Sequence, residues 1–134
     1  MQQEPLNVLI VDDQAGVRYL LEIVVQDSGH RAYTASNGLE AVELARSIRP
    51  DLVFMDVRMP LMGGLEALEK IKALAPETNV VIMTAFSSEQ TVSQAMKKGA
   101  LTCIGKPFDV DELKEFLQRF DRNCPTFGKT AASG

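Results

Sequence analysis

The chain has no tryptophan, one histidine and only two cysteines in 134 residues. Two cysteines without a CxxC or Cys/His spacing exclude a disulfide framework and a zinc finger. Cys103 reads as a buried strand residue and Cys124 as part of a tail, both as free thiols. Long apolar runs are also missing, since none approaches the ~18 residues that span a bilayer. The opening MQQEPLN lacks the basic, apolar and small-residue order of a secretory signal. Nor is there a surplus of positive charge. Lys and Arg number 14 against 18 Asp and Glu, giving a formal net charge of -4 and a pI near 5.0. The basic residues are scattered rather than clustered, which argues against a surface for nucleic-acid phosphates. We therefore expect a cytoplasmic protein with no membrane and no nucleic-acid partner.

What is present is a core: 46% of residues are hydrophobic, enough for one domain of this length. We expect that domain over 6–121, with 122–134 as a flexible tail rich in Pro, Gly, Ser and Thr. Apolar runs at Val8–Val11, Leu52–Met55 and Val80–Met83 have the length and β-branched content of strands buried on both faces. Weaker runs at Arg31–Ala35 and Leu101–Ile104 belong nearer the edges of a sheet. Between them the period changes to that of helices. Val17, Leu20, Leu21, Val24 and Val25 share one face, closed by Gly29. Asn37-Gly38 opens a second helix (Ala41, Leu44, Ala45, Ile48) that stops before Pro50. A third runs from about Gly64 to Ala75 and a fourth from about Ser88 to Lys98, the latter carrying Val92, Ala95 and Met96. Asp109 caps a fifth, with Glu112 three residues on, followed by Leu113, Phe116, Leu117 and Phe120.

Alternating strands and helices with short joins predict an α/β fold with a doubly wound five-stranded parallel sheet. In such a sheet the ligand site lies beyond the carboxyl ends of the strands, where the strand order reverses. For order 2-1-3-4-5 that point falls between the strands ending at Asp12-Asp13 and at Asp56. Lys106 follows the fifth strand and Thr84 ends the fourth. Clustered carboxylates repel one another unless a cation relieves them, and a hard divalent ion with oxygen ligands does so. Mg²⁺ is the expected ion, with Mn²⁺ as an alternative. Its ligands are Asp12, Asp13 and Asp56, with the Arg58 backbone carbonyl in addition. Asp56 is the candidate nucleophile toward phosphorus, with Lys106 and Thr84 stabilising the transferring oxygens. The X-Pro bond at Lys106-Pro107 is a candidate cis bond. Helix capping accounts for one acid after the first strand, but not for two.

Asp12-Asp13, the stretch DVRMP from Asp56 to Pro60, Thr84-Ala85, and KPF from Lys106 to Phe108 stand in the order and spacing of bacterial response-regulator receiver domains. The chain resembles that family from about Leu6 to Phe120. Within it, the chain looks most like the single-domain receivers of the sporulation phosphorelay, on VDDQ followed by Gly16, GALT at Gly99 to Thr102, and KPFDVDE at Lys106 to Glu112. The resemblance implies a flavodoxin-like (βα)5 fold. It also implies that Asp56 takes a phosphoryl group from a sensor histidine kinase and passes it to a histidine-containing phosphotransferase. A phosphatase is a further implied partner, and a monomer is the default. That role is a phosphoryl-transfer intermediate rather than a metabolic enzyme. An apolar patch of Gln14, Gly16, Val17, Leu20, Pro107 and Phe108 is implied as the docking surface for the helical bundle that presents the histidine.

Two positions depart from the family pattern. Met62-Gly63-Gly64 lacks the usual acidic residue before the glycine, and Cys103 replaces an aromatic that usually lies three residues before the lysine. Arg58 and Phe86, each two residues beyond a site residue, are candidate shields against water. Alternative readings are the receiver part of a longer transcription regulator, and a binding module that is never phosphorylated. A phosphatase or mutase with an aspartyl nucleophile is less apt, because the dehalogenase-like kind needs an acid where Arg58 stands. His30 reads as a surface turn residue, and Met55, Met59, Met62, Met83 and Met96 read as packing.

Overall fold

Strand and helix alternate throughout the computed structural model, which describes residues 4–85 and 89–120. The order is β1 (Asn7–Val11), α1 (Ala15–Asp27), β2 (Arg31–Ala35), α2 (Gly38–Ile48), β3 (Leu52–Asp56), α3 (Gly64–Leu74), β4 (Asn79–Thr84), α4 (Glu89–Lys97), β5 (Thr102–Gly105) and α5 (Val110–Arg119). All strand pairs are parallel and the sheet order is β2-β1-β3-β4-β5, as the apolar runs predict. The expected tail with Cys124, together with Phe86 and Ser88, lies outside the described residues.

Successive side chains of a strand point to opposite faces, so a strand buried on both sides feeds two cores. Leu9, Val11, Val53, Met55, Val80 and Ile82 pack with Ala41 and Ala45 of α2, Leu68 and Ile71 of α3, and Ala95 of α4. Their alternates Val8, Ile10, Leu52, Phe54, Val81 and Met83 pack with Leu21, Val24 and Val25 of α1 and with Leu113, Phe116 and Leu117 of α5. Phe54 and Phe116 meet edge to face, with ring centroids 5.9 Å apart. Helices thus cover both faces, and the edge strands β2 and β5 are the less buried ones.

Local signals set the helix ends. The Asn37 side chain accepts the Glu40 N–H at 2.9 Å, and Asp109 accepts those of Asp111 and Glu112 at 2.8 and 3.3 Å. α1 closes on Gly29 at φ 88°.

Three side chains depart from expectation. Leu20, a docking candidate, is 40% exposed as that role needs, whereas Met96, which reads as packing, is 46% exposed. Leu21, Val24 and Val25 already fill the face of α1, and the short α4 buries only Ala95. Cys103 is half-buried rather than buried, because it lies on an edge strand. His30 is more than a turn residue: its Nδ1 accepts the Leu6 N–H at 3.0 Å, which anchors the chain entering β1.

Candidate functional site

Strand register brings the polar residues together. Val11 pairs with Met55, so the next residues, Asp12 and Asp56, stand side by side at the carboxyl end of the sheet. Asp56 pairs with Met83 and Thr84 with Gly105, which carries Thr84 and then Lys106 to the same end. Lys106 is held there because its N–H donates to the Thr84 carbonyl at 2.9 Å. The Lys106–Pro107 peptide is cis.

Asp12 is fully buried and Asp56 is 8% exposed, while Asp13 faces solvent. A buried carboxylate needs a partner for each oxygen. Asp12 Oδ1 accepts the Gln14 N–H at 2.9 Å and Oδ2 accepts the Lys106 ammonium at 2.8 Å. Asp56 Oδ1 accepts the Val57 N–H at 3.0 Å and lies 3.5 Å from Lys106 Nζ. Burial, and then the charge of Asp12, raise the proton affinity of Asp56 above the ordinary carboxylate value, against the opposing pull of Lys106. Burial alone would lower the proton affinity of Lys106. Its hydrogen bond to Asp12 and the Asp56 and Asp12 charges outweigh that and hold it above the ordinary lysine value.

One oxygen each from Asp12, Asp13 and Asp56 lies within 4.8 Å of the others. That spacing, on three hard oxygen donors with incompletely balanced charge, fits a divalent cation of the Mg²⁺ or Mn²⁺ class. A cleft of about 530 Å³ opens above them, lined by Asp13, Gln14, Val17, Asp56, Val57, Arg58, Thr84, Ala85, Lys106 and Pro107. The predicted Thr84 and Arg58 therefore share one cavity with the acids and the lysine. The loop beneath is held close. Gly64 donates its N–H to Val57 at 2.8 Å, and a Cβ on Gly64 would collide with the Asp56 carbonyl.

A profile of the family described as "Response regulator receiver domain" matches residues 8–118. The chain belongs to the response-regulator receiver domain family. It is 39% identical over 114 residues to sporulation initiation phosphotransferase F of Bacillus subtilis (strain 168), covering 85% of this chain and 92% of that protein. It is 40% identical over 113 residues to regulatory protein AtoC of Escherichia coli (strain K12), covering 84% of this chain but only 24% of that protein. Among solved structures, the CheX-CheY-BeF3-Mg²⁺ complex from Borrelia burgdorferi matches with TM-score 0.80 and 33% identity over 92% of this chain and 90% of that one. Membership makes this receiver domain a phosphoacceptor of two-component signalling, a family whose members work with histidine kinases and phosphotransferases.

Of the predicted docking residues, Gln14, Val17 and Pro107 line the cleft itself. Gly16 and Leu20 are exposed on α1, and Phe108 is half-buried against the α1/α5 core. Cys103 packs against the other core, and burial pushes its thiol up, so it is a poor nucleophile. Among the described residues, no helix is long and apolar enough to cross a membrane. One residue that sequence reasoning missed reaches the site from outside the cleft: Arg18 donates to the backbone carbonyl of Asp12 at 2.7 Å.

Proposed function

We propose that Asp56 is the phosphoryl acceptor of this receiver and that the chain works as a carrier between histidines. The single observation that supports this most is the Asp56 carboxylate itself. It ends the central strand, within ligand distance of two further acids and beside a lysine ammonium, at the mouth of a cleft. Val57 and Lys106 engage Oδ1, which leaves Oδ2 as the attacking oxygen. A new oxygen–phosphorus bond forms as the phosphorus–nitrogen bond of a donor phosphohistidine breaks, and the imidazole leaves with a proton from solvent. Lys106 and the Thr84 hydroxyl stabilise charge on the phosphoryl oxygens.

Asp12, Asp13 and Asp56, with the Arg58 carbonyl, are the residues that would hold Mg²⁺ or Mn²⁺, which when bound neutralises charge on those oxygens. Transfer onward to a histidine phosphotransferase reverses the same step. Gln14, Gly16, Val17, Leu20, Pro107 and Phe108 form the docking patch, since they surround or flank the cleft. The low cysteine content, without paired spacing, supports a cytoplasmic protein; its domain is 6–121, with a monomer as the default.

The test is intact mass after incubation with Mg²⁺ and acetyl phosphate, beside Asp56→Asn. A single metal-dependent phosphoryl adduct lost in the variant supports the reading. No adduct, under conditions that label another receiver, overturns it in favour of a binding module. A second reading, the receiver of a longer regulator, draws on the match to AtoC, of which the aligned region covers 24%. The intact mass of the native protein separates the two.

A further inference from the structure

Backbone accounting at the end of β1 singles out one side chain. Val11 is the last residue of β1 to pair with β2, opposite Ala35. Asp12 still donates its N–H to the Ala35 carbonyl at 3.2 Å. Beyond Ala35, however, β2 ends and the chain turns into α2, so no further strand residue offers an N–H to the Asp12 carbonyl. Arg18 supplies that donor from α1, with Nη1 at 2.7 Å. Its own N–H meanwhile bonds the Gln14 carbonyl at 3.1 Å, so one residue clamps both sides of the β1–α1 junction. With Gln14 and Lys106 on its two carboxylate oxygens, every polar group of Asp12 is then engaged.

The packing of α1 does not depend on this contact. Leu21, Val24 and Val25 seat the helix, whereas Arg18 is only partly buried. What depends on it is the orientation of the Asp12 peptide, and with it the aim of a carboxylate that must meet Asp13 and Asp56. We propose that Arg18 is a positioning residue for the divalent-cation site: its guanidinium fixes the Asp12 backbone so that the three carboxylates converge. This rests on the reading of Asp12, Asp13 and Asp56 as cation ligands. The bond uses one donor rather than a bidentate fork, so a lysine can replace it.

The experiment compares the unaltered protein, Arg18→Met and Arg18→Lys by calorimetric Mg²⁺ titration, by amide hydrogen exchange at Asp12 and Asp13 in EDTA, and by thermal unfolding. Loss of an outer partner of a metal ligand weakens affinity by roughly tenfold or more, so that is the expected shift for Arg18→Met. Faster exchange at Asp12 should accompany it, and Arg18→Lys should restore both. A purely structural role would lower the unfolding midpoint and leave the Mg²⁺ dissociation constant unchanged, which overturns the proposal. Tighter Mg²⁺ binding by Arg18→Met also overturns it, because the guanidinium would then act as a competing charge. If the unaltered protein binds no Mg²⁺, the carboxylate reading itself fails, and the Arg18 proposal falls with it.

Discussion

Lys106 Nζ lies 2.8 Å from Asp12 Oδ2 and 3.5 Å from Asp56 Oδ1, so one ammonium bridges carboxylates at the ends of two strands. The ammonium has two opposed effects. It offsets the repulsion of the acids, and it occupies charge that a divalent cation would otherwise neutralise. Lys106→Met should therefore bind Mg²⁺ more tightly in a calorimetric titration while accepting phosphoryl from acetyl phosphate more slowly. In EDTA the variant should lose about 2 kcal/mol of stability, the cost of leaving a buried carboxylate oxygen without its donor. Weaker Mg²⁺ binding would show that the lysine organises the acids rather than competes for them.

Asp56 carries a pH signature. Burial first, and the Asp12 charge second, raise its folded-state proton affinity above the ordinary 3.8. The folded protein thus holds this proton more tightly than the unfolded chain, and its stability falls as pH rises from about that value through the raised one. Above that window the ionised group is a net cost. Asp56→Asn should be more stable than the unaltered protein at neutral pH in EDTA. The difference should vanish below the ordinary carboxylate value, where both side chains are neutral. Urea denaturation at several pH values reads this directly. Saturating Mg²⁺ should reverse the order, because the cation stabilises most the chain that binds it most tightly, and the variant loses one of the three carboxylates.

Adjacent glycines at the start of α3 should behave differently. A Cβ on Gly64 would strike the backbone carbonyl of Asp56, whereas one on Gly63 meets only the Val57 carbonyl, at 3.2 Å. Gly63 also sits at φ -75°, a conformation open to any residue. Gly64→Ala should cost on the order of 3 kcal/mol and slow phosphorylation, because the strand end carrying Asp56 must shift. Gly63→Ala should stay within about 1 kcal/mol of the unaltered protein. Thermal unfolding and acetyl-phosphate kinetics on both variants check the contrast.

Strand content and the site were legible for the same reason. Asp12, Asp56, Thr84 and Lys106 each stand at or just beyond the end of an apolar run, and parallel register carries such ends to one place. Periodicity tells which residues share a helix face but not how wide the buried part of that face is. That is why Met96 reads as a packing residue although it is 46% exposed. Cys103 follows the same logic across a sheet: its run reads as an edge strand, but an edge position does not say how much of one side chain its neighbours cover. Arg18 left no pattern at all, because a side chain bonded to a backbone carbonyl is tied to a position in space and not to a residue type.

Leu61 makes the last case. It lies in the loop between Asp56 and α3, 78% exposed and at φ 69°, the left-handed region that a branched side chain adopts at a cost. Its exposure means that little packing offsets that cost. The surrounding chain imposes the conformation: Met62 donates its N–H to the Pro60 carbonyl at 2.7 Å, which closes a tight turn around Leu61. Asparagine tolerates the left-handed region, so Leu61→Asn should keep the loop and raise stability by up to about 1 kcal/mol. Labelling by acetyl phosphate should be unchanged, since Leu61 is not among the residues lining the cleft. Unfolding midpoints and adduct formation measured together decide it. A stabilised variant with intact labelling confirms that the strain is local to the loop. A stabilised variant that labels slowly would mean that the strained turn helps hold Asp56 ready for attack.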